Sequence, residues 1–255
     1  MMNSVPKPTK RRPPRNEATA VVDLSWETAA LAELAQCGSD GHEGRLPLIG
    51  GMDEVGRGAL AGPVCVGVAV LDQRSLDNPD FPQGFPVGLN DSKQLTARRR
   101  VALQDPIQAW VRDFAIGQAS NTEIDELGIM PALRLAGWRA LNELDARGHL
   151  PQRLLLDGNF DYLASPRQPD LFAEAGNLVS SPEVSVETLV KGDGKAAVIA
   201  AAAVLAKVYR DAFMRSLHDP GYGWARNVGY GTPAHKAGLA ELGASVWHRK
   251  TWKLR

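Results

Sequence analysis

Cysteine is nearly absent from this 255-residue chain. Cys37 and Cys65 are far apart and lack CxxC spacing, which leaves no disulfide framework or zinc knuckle and makes a reducing, cytoplasmic setting the default expectation. Long hydrophobic runs are missing too. The longest, Ala196 to Ala206, falls well short of the roughly 20 residues that cross a bilayer, and the basic N-terminus is not followed by the apolar stretch of a signal peptide. A soluble protein without a membrane partner is expected. Net charge is also lacking: 29 Lys and Arg balance 29 Asp and Glu, which removes the simplest electrostatic argument for a polyanionic partner. Neither a Ser-His-Asp order nor an HExxH helix is visible, and no internal repeat is present.

What remains is enough for one sizeable packed domain, since hydrophobic residues make up 44% of the chain. The charges are unevenly placed. Lys7 to Arg15 is basic and proline-rich, the segment from His235 through Arg249, Lys250, Lys253 and Arg255 is basic again, and acids dominate from Asp170 to Glu187. A basic edge beside an acidic centre would suit a polyanion gripped at its flanks, although plain solvated charge is the better reading of the N-terminal run. Residues 1–45 read as a basic, partly disordered N-terminal extension containing one helix, Trp26 to Gln36, and residues 46–255 as the catalytic domain.

Within that domain, Leu48 to Asp53 and the valine-rich Val64 to Leu71 predict two sequential strands joined by a Gly-Arg-Gly turn. A proline-studded loop, Gln73 to Gly88, precedes a helix over Thr96 to Trp110 that exposes Arg98-Arg99-Arg100. Phe114 to Ala119 reads as a strand, followed by helices at Glu123 to Leu127 and at Ala132 to Ala146, with Pro131 in the first turn. Arg153 to Asp157 has the profile of a buried strand with a carboxylate at its C-terminal tip, where α/β sheets place ligands. Asp161 to Pro182 reads as a surface loop, Val184 to Val190 as a strand, Asp193 as the opening of an alanine-rich helix to about Leu217, and Pro233 to Leu242 as a last helix. The fold class is therefore α/β, a mixed central sheet flanked by helices with a helical C-terminal part.

The chemistry concentrates at Asp53-Glu54-Val55-Gly56-Arg57-Gly58. Adjacent carboxylates offer the hard oxygens preferred by Mg²⁺ and Mn²⁺, and Gly-X-Gly lets the backbone approach a sugar-phosphate chain. On the hexapeptide alone, a solvated strand-to-turn junction is an equally good reading. Asp157 and Asp193 also fall at strand ends or strand-to-helix junctions, and four such acids gathered together would repel one another unless a cation were bound. One difficulty is geometric: Asp53 and Glu54 point to opposite faces unless the strand ends or bulges there. For phosphodiester hydrolysis, two ions roughly 3.5 to 4 Å apart would suffice without a histidine or serine nucleophile.

Six ordered motifs sharpen this picture: Gly51-Met52-Asp53-Glu54-Val55-Gly56-Arg57-Gly58, Leu89-Asn90-Asp91-Ser92-Lys93, Leu156-Asp157-Gly158, Lys191-Gly192-Asp193, Ala206-Lys207-Val208-Tyr209-Arg210-Asp211 and Gly229-Tyr230-Gly231-Thr232-Pro233-Ala234-His235. Together, from about Leu48 to Trp252, they resemble ribonuclease HII, the bacterial type 2 ribonuclease H. The resemblance implies a ribonuclease H-like fold, Mn²⁺ or Mg²⁺ as cofactor, and a monomer that cuts RNA in RNA/DNA hybrids and on the 5′ side of single ribonucleotides in duplex DNA. It implies Asp53, Glu54, Asp157 and Asp193 as metal-binding catalytic carboxylates, with Asp53 and Asp157 shared. Gly56, Arg57 and Gly58 become the contact to the 2′-hydroxyl and its phosphate, and Tyr230 the residue at the RNA-to-DNA junction. Lys93, Lys207 and Asp211 take supporting roles, the last two as a helical ion pair. Asp193 could also cap the helix it precedes, Trp252 is expected in packing, and His235 and His248 at the surface or on phosphates. Asn227-Val228 stands where the family commonly has a basic pair, Ala203-Val204 replaces a usual Ser-Ile, and the stretch from Asp157 to Asp193 is long. A ribonuclease HIII-like hybrid nuclease and a catalytically silent hybrid-binding protein are the alternatives. The first would need a larger N-terminal domain than these residues supply.

Overall fold

The computed structural model of the chain describes residues 22–37, 46–164 and 181–254. The basic tail over 1–15 and positions 165–180 of the expected loop lie outside them. β1 (Ile49–Val55) and β2 (Val64–Leu71) form the expected hairpin, antiparallel along its whole length. β3 (Asp113–Ala119) extends the sheet antiparallel to β2, whereas β4 (Arg153–Asp157) runs parallel to β1 and β5 (Ser185–Leu189) parallel to β4. The order β3-β2-β1-β4-β5 makes this a mixed sheet with β1 at its centre.

Helices cover both faces, and the two-residue period of β2 divides its side chains between them. Val64, Val66, Val68 and Val70 pack with α5 (Ile129–Ala146), behind which lies α4 (Asn121–Leu127). Ala69 and Leu71 face the other way, toward α6 (Ala197–Ser216), α3 (Ala97–Trp110) and α1 (Ser25–Cys37). Val22, Ala30 and Leu31 are buried in that same core, so the segment bearing α1 is packed against the sheet domain. Beyond α6, short α7 (Trp224–Asn227) and α8 (Pro233–Leu242) enclose a third cluster around Met214, Tyr222 and Trp224.

Local signals account for several helix starts. Thr96 accepts from the Arg99 N–H, Ser120 and Glu123 cap α4 reciprocally, and Thr232 precedes a proline at the start of α8. The proline-studded segment begins with a short helix, α2 (Gln73–Leu76), because Asp72 and Ser75 form a capping box. Asp193 does not cap α6. It sits in a 3₁₀ turn, Gly192–Gly194, and α6 starts after Ala196, which has no capping side chain.

Alanine lets α6 lie unusually low on the sheet. Gly51 completes that fit: a Cβ built there would sit 2.5 Å from the Ile199 nitrogen and the Val198 carbonyl carbon, both backbone atoms of the helix. Gly51→Ala is therefore expected to cost about 3 kcal/mol by overpacking, read as a lower urea midpoint at unchanged slope.

Candidate active site

β1 stays regular through the acidic pair. Asp53 opposes Gly67, Glu54 opposes Val66 and Val55 opposes Cys65, so the strand neither ends nor bulges between the two acids. Side-chain alternation then places Gly51, Asp53 and Val55 on the α6 face and Met52 and Glu54 on the α5 face. Because Gly51 pairs with Leu155, Asp157 at the tip of β4 falls on the same face as Asp53. The 3₁₀ turn before α6 brings in Asp193, and one carboxylate oxygen from each of Asp53, Asp157 and Asp193 lies within 4.8 Å of the others. Glu54 stands outside that trio.

Each acid is held by a short hydrogen bond. The Glu54 N–H donates to Asp53 Oδ1 at 2.7 Å, the Gly192 N–H to Asp157 Oδ1 at 2.7 Å, and Lys93 Nζ to Asp193 Oδ2 at 2.8 Å. Burial, followed by the charges of Asp157 and Glu54, pushes the Asp53 carboxyl well above the ordinary range. Burial raises Asp193 as well, despite Lys93, and raises Glu54 despite Arg57 3.5 Å away. Burial works against the charge on Lys93, but its bond to Asp193 together with the charges of Asp193, Asp53 and Asp91 outweighs that desolvation and holds it charged. Three hard oxygens that converge under mutual repulsion fit a divalent cation such as Mg²⁺ or Mn²⁺, and no soft ligand accompanies them.

Asp53 and Glu54 open into a cleft of about 370 Å³ lined also by Arg57, Lys93, Arg100, Lys207 and Tyr230. Gly56, at φ +85°, starts the Gly56–Gly58 loop at its edge, and its N–H donates to the Tyr230 hydroxyl at 3.1 Å. Lys207 Nζ and the Arg210 guanidinium lie 5.3 and 5.5 Å from the Tyr230 ring centre, and Lys207 also pairs with Asp211 at 2.7 Å.

Two residues that hold this loop escaped the sequence reading. Arg210 and Arg249 are completely buried. Arg210 donates to the carbonyls of Ala61, Pro63 and Val228, and Arg249 to those of Gly56, Arg57 and Gly62. Burial lowers Arg249 to about 9. Arg210 left one trace, a position four residues after Ala206 on the buried stripe of α6. Arg249 left none, since it stands in a basic tail.

His235 and His248 correct the surface expectation. Both are fully buried with their Nε2 atoms 3.0 Å apart, because the rings of Tyr222 and Trp224 enclose them. His235 Nδ1 lies 3.0 Å from the Tyr230 carbonyl oxygen, an arrangement in which Nδ1–H donates and the pair backs the Tyr230 segment. Asn227 is buried as well: it donates to the Tyr222 carbonyl and accepts from the Gly229 N–H, so it is spent on the turn. Trp252 packs beneath the Arg249 guanidinium, 4.7 Å from its ring centre. Tyr162, also missed, is 3% exposed, lies with Met52 beside Gly137 on the Glu54 face, and has a hydroxyl without a hydrogen-bond partner.

The family model for ribonuclease HII matches residues 50–255. The chain belongs to the ribonuclease HII family. It is 44% identical over 207 residues to ribonuclease HII of Streptomyces avermitilis, a match covering 80% of this chain and 76% of that protein. With ribonuclease HII of Parasynechococcus marenigrum it shares 39% over 251 residues, 97% of this chain and 96% of the relative. The crystal structure of ribonuclease H2 from Pyrococcus horikoshii superposes with a TM-score of 0.53 at 26% identity, over 81% of this chain and 94% of that one.

The electrostatics yields a sign. A carboxyl whose folded pKa stands above its ordinary 3.8 binds its proton more tightly when folded, so its stabilising contribution is present at low pH and lost as pH rises through the folded value. In chelator, Asp53→Asn should therefore melt above the parent enzyme at pH 8, and the gap should close toward pH 4 in a circular-dichroism series. Tyr162→Phe removes a buried, unpartnered hydroxyl and is expected to leave the melting point unchanged or slightly raised.

Proposed function

We propose that this ribonuclease HII family member is a divalent-metal-dependent endoribonuclease that cuts the RNA strand of RNA/DNA hybrids and incises 5′ of single ribonucleotides in duplex DNA. Its products carry 5′-phosphate and 3′-hydroxyl ends. The observation that carries this reading is the meeting of Asp53, Asp157 and Asp193, from three separate elements, within 4.8 Å beside the Gly56–Gly58 loop. Asp53 and Asp157 are assigned as shared ligands, Asp193 as a third, and Glu54, which lines the same cleft from the other side of β1, as the acid for a second cation. Mn²⁺ or Mg²⁺ bound there would activate the attacking water and stabilise charge on the departing 3′-oxygen.

The chain's own groups do the rest. Arg57, Lys93, Arg100 and Lys207 supply positive charge to phosphates on either side of the cut. The Gly56–Gly58 backbone, fixed from below by Arg249, approaches the ribose 2′-hydroxyl, the atom that separates RNA from DNA. Tyr230 offers a ring face at the junction, and its hydroxyl is already oriented by the Gly56 N–H. No helix among the described residues is long and apolar enough to cross a membrane. A cytoplasmic monomer is the proposed form, supported by a cleft assembled wholly within one chain.

Purified Asp157→Asn should fold and still bind a duplex carrying one ribonucleotide, yet produce no nick with either Mn²⁺ or Mg²⁺; retained nicking would remove the assignment. Tyr230→Ala should lose more activity on the single-ribonucleotide duplex than on a long hybrid, measured side by side on end-labelled strands. Equal losses would place Tyr230 outside junction recognition.

A further inference from the structure

Besides the Tyr162 hydroxyl, the described residues contain one buried side-chain polar atom without a hydrogen-bond partner, Glu27 Oε2. Glu27 belongs to α1, outside the matched residues 50–255, yet it is completely buried against the start of α6. Its Oε1 accepts the Val198 N–H at 2.7 Å. The preceding residues reinforce that contact: the Asp23 N–H donates to the Lys195 carbonyl and the Asp23 carbonyl accepts the Ala197 N–H, each at 3.1 Å. Lys195, Ala197 and Val198 are thus all gripped by residues 23–27.

That linker joins the Asp193 turn to α6. The N–H groups of Lys195 and Ala196 donate to the Gly192 carbonyl, and the Gly192 N–H donates to Asp157 Oδ1. Immediately before the turn, Lys191 has a φ of +57°, a conformation that L side chains rarely adopt and that neighbouring structure must impose. Ala196 cannot cap α6, so the cap comes from another element, through a carboxyl that burial pushes up to about 7. A hydrophobic side chain would fill the space at lower cost but could not bind Val198.

We infer that Glu27 is a positioning residue: by fixing the first turn of α6 it fixes the Asp193 turn against Asp157, which makes residues 23–27 part of the active-site architecture. The inference rests on the reading of Asp193 as a cation ligand. Its test is Mn²⁺ binding by titration calorimetry without nucleic acid, with melting points in parallel, on Glu27→Ala, Glu27→Gln, Asp193→Asn and Leu144→Ala, the last a core truncation at the far end of α5. Glu27→Ala should weaken Mn²⁺ binding roughly tenfold, as lost support of a ligand does, while Glu27→Gln, which keeps an acceptor oxygen, should restore most of it. Leu144→Ala should melt lower without altering the Mn²⁺ isotherm. Parental Mn²⁺ affinity in Glu27→Ala alongside weakened binding in Asp193→Asn would overturn the inference and leave the site assignment standing; parental affinity in Asp193→Asn would remove the premise and the inference together. Should Glu27→Ala fail to fold, Glu27→Asp, whose acceptor is one methylene short, decides by the same comparison with Glu27→Gln.

Discussion

Three carboxylates are forced into one small, largely dry space, and the rest of the molecule answers to that repulsion. For full charges 4.8 Å apart at an effective dielectric constant near 20, each pair costs about 3 kcal/mol. A whole domain is typically stable by only about 5–15 kcal/mol. One ammonium, Lys93, touches the trio directly, which is too little to balance it. Asp53 holds its proton tightly, first because it is buried and then because it faces the charges of Asp157 and Glu54. A divalent cation is the natural counterweight, and the rigid supports around the acids keep them from drifting apart in its absence. β1 and β4 fix two of them by strand pairing, and the α6 junction fixes the third.

The same physics with the sign reversed governs the loop from Gly56 to Pro63. Arg210 and Arg249 are buried cations that meet carbonyl oxygens rather than carboxylates. A carboxylate partner would have neutralised each pair but could have gripped only a side chain. Carbonyl partners tie the guanidinium forks to the backbone of residues 56–63 itself. The cost of burial appears in the lowered value for Arg249, and the return is a loop whose carbonyls are held by guanidinium hydrogen bonds. Tyr230 is treated alike, with cations over its ring, Gly56 at its hydroxyl and the histidine pair behind its carbonyl.

How far the sequence could be read follows from where each interaction partner lies. Strands such as Val64–Leu71 and helices such as Ala97–Trp110 declare themselves by period, cap and turn residues, all local. The mixed sheet was legible for that reason. Asp53 and Asp157 were visible as acids at apolar strands, but their meeting depends on the register of β1 with β4, which no local pattern encodes. Glu54 shows the limit most clearly. Its neighbour in sequence is Asp53, yet regular strand geometry sends it to the opposite face. Glu27, Tyr162, Arg210 and Arg249 were missed because their surroundings come from segments up to 193 residues away, whereas His235 and His248 were misread because Tyr222 and Trp224, near them in sequence, fold over their rings without any periodic pattern.

Charge balance illustrates the same point at the scale of the whole molecule. A formal total of zero removes the simplest argument for a polyanionic partner, yet the total averages over distances much longer than the Debye length of about 8 Å at physiological salt. A phosphate at the cleft senses the rim, where Arg57, Lys93, Arg100 and Lys207 stand, before it senses the floor, where Asp53 is buried. Once a cation occupies the floor, the acids beneath are screened and the cleft becomes attractive throughout. A cation on the floor and a phosphate at the rim would then support each other, because each removes part of the repulsion that opposes the other. The neutral sum therefore conceals a site polarised from rim to floor, with basic side chains at its edge and the Asp53 carboxyl buried beneath them.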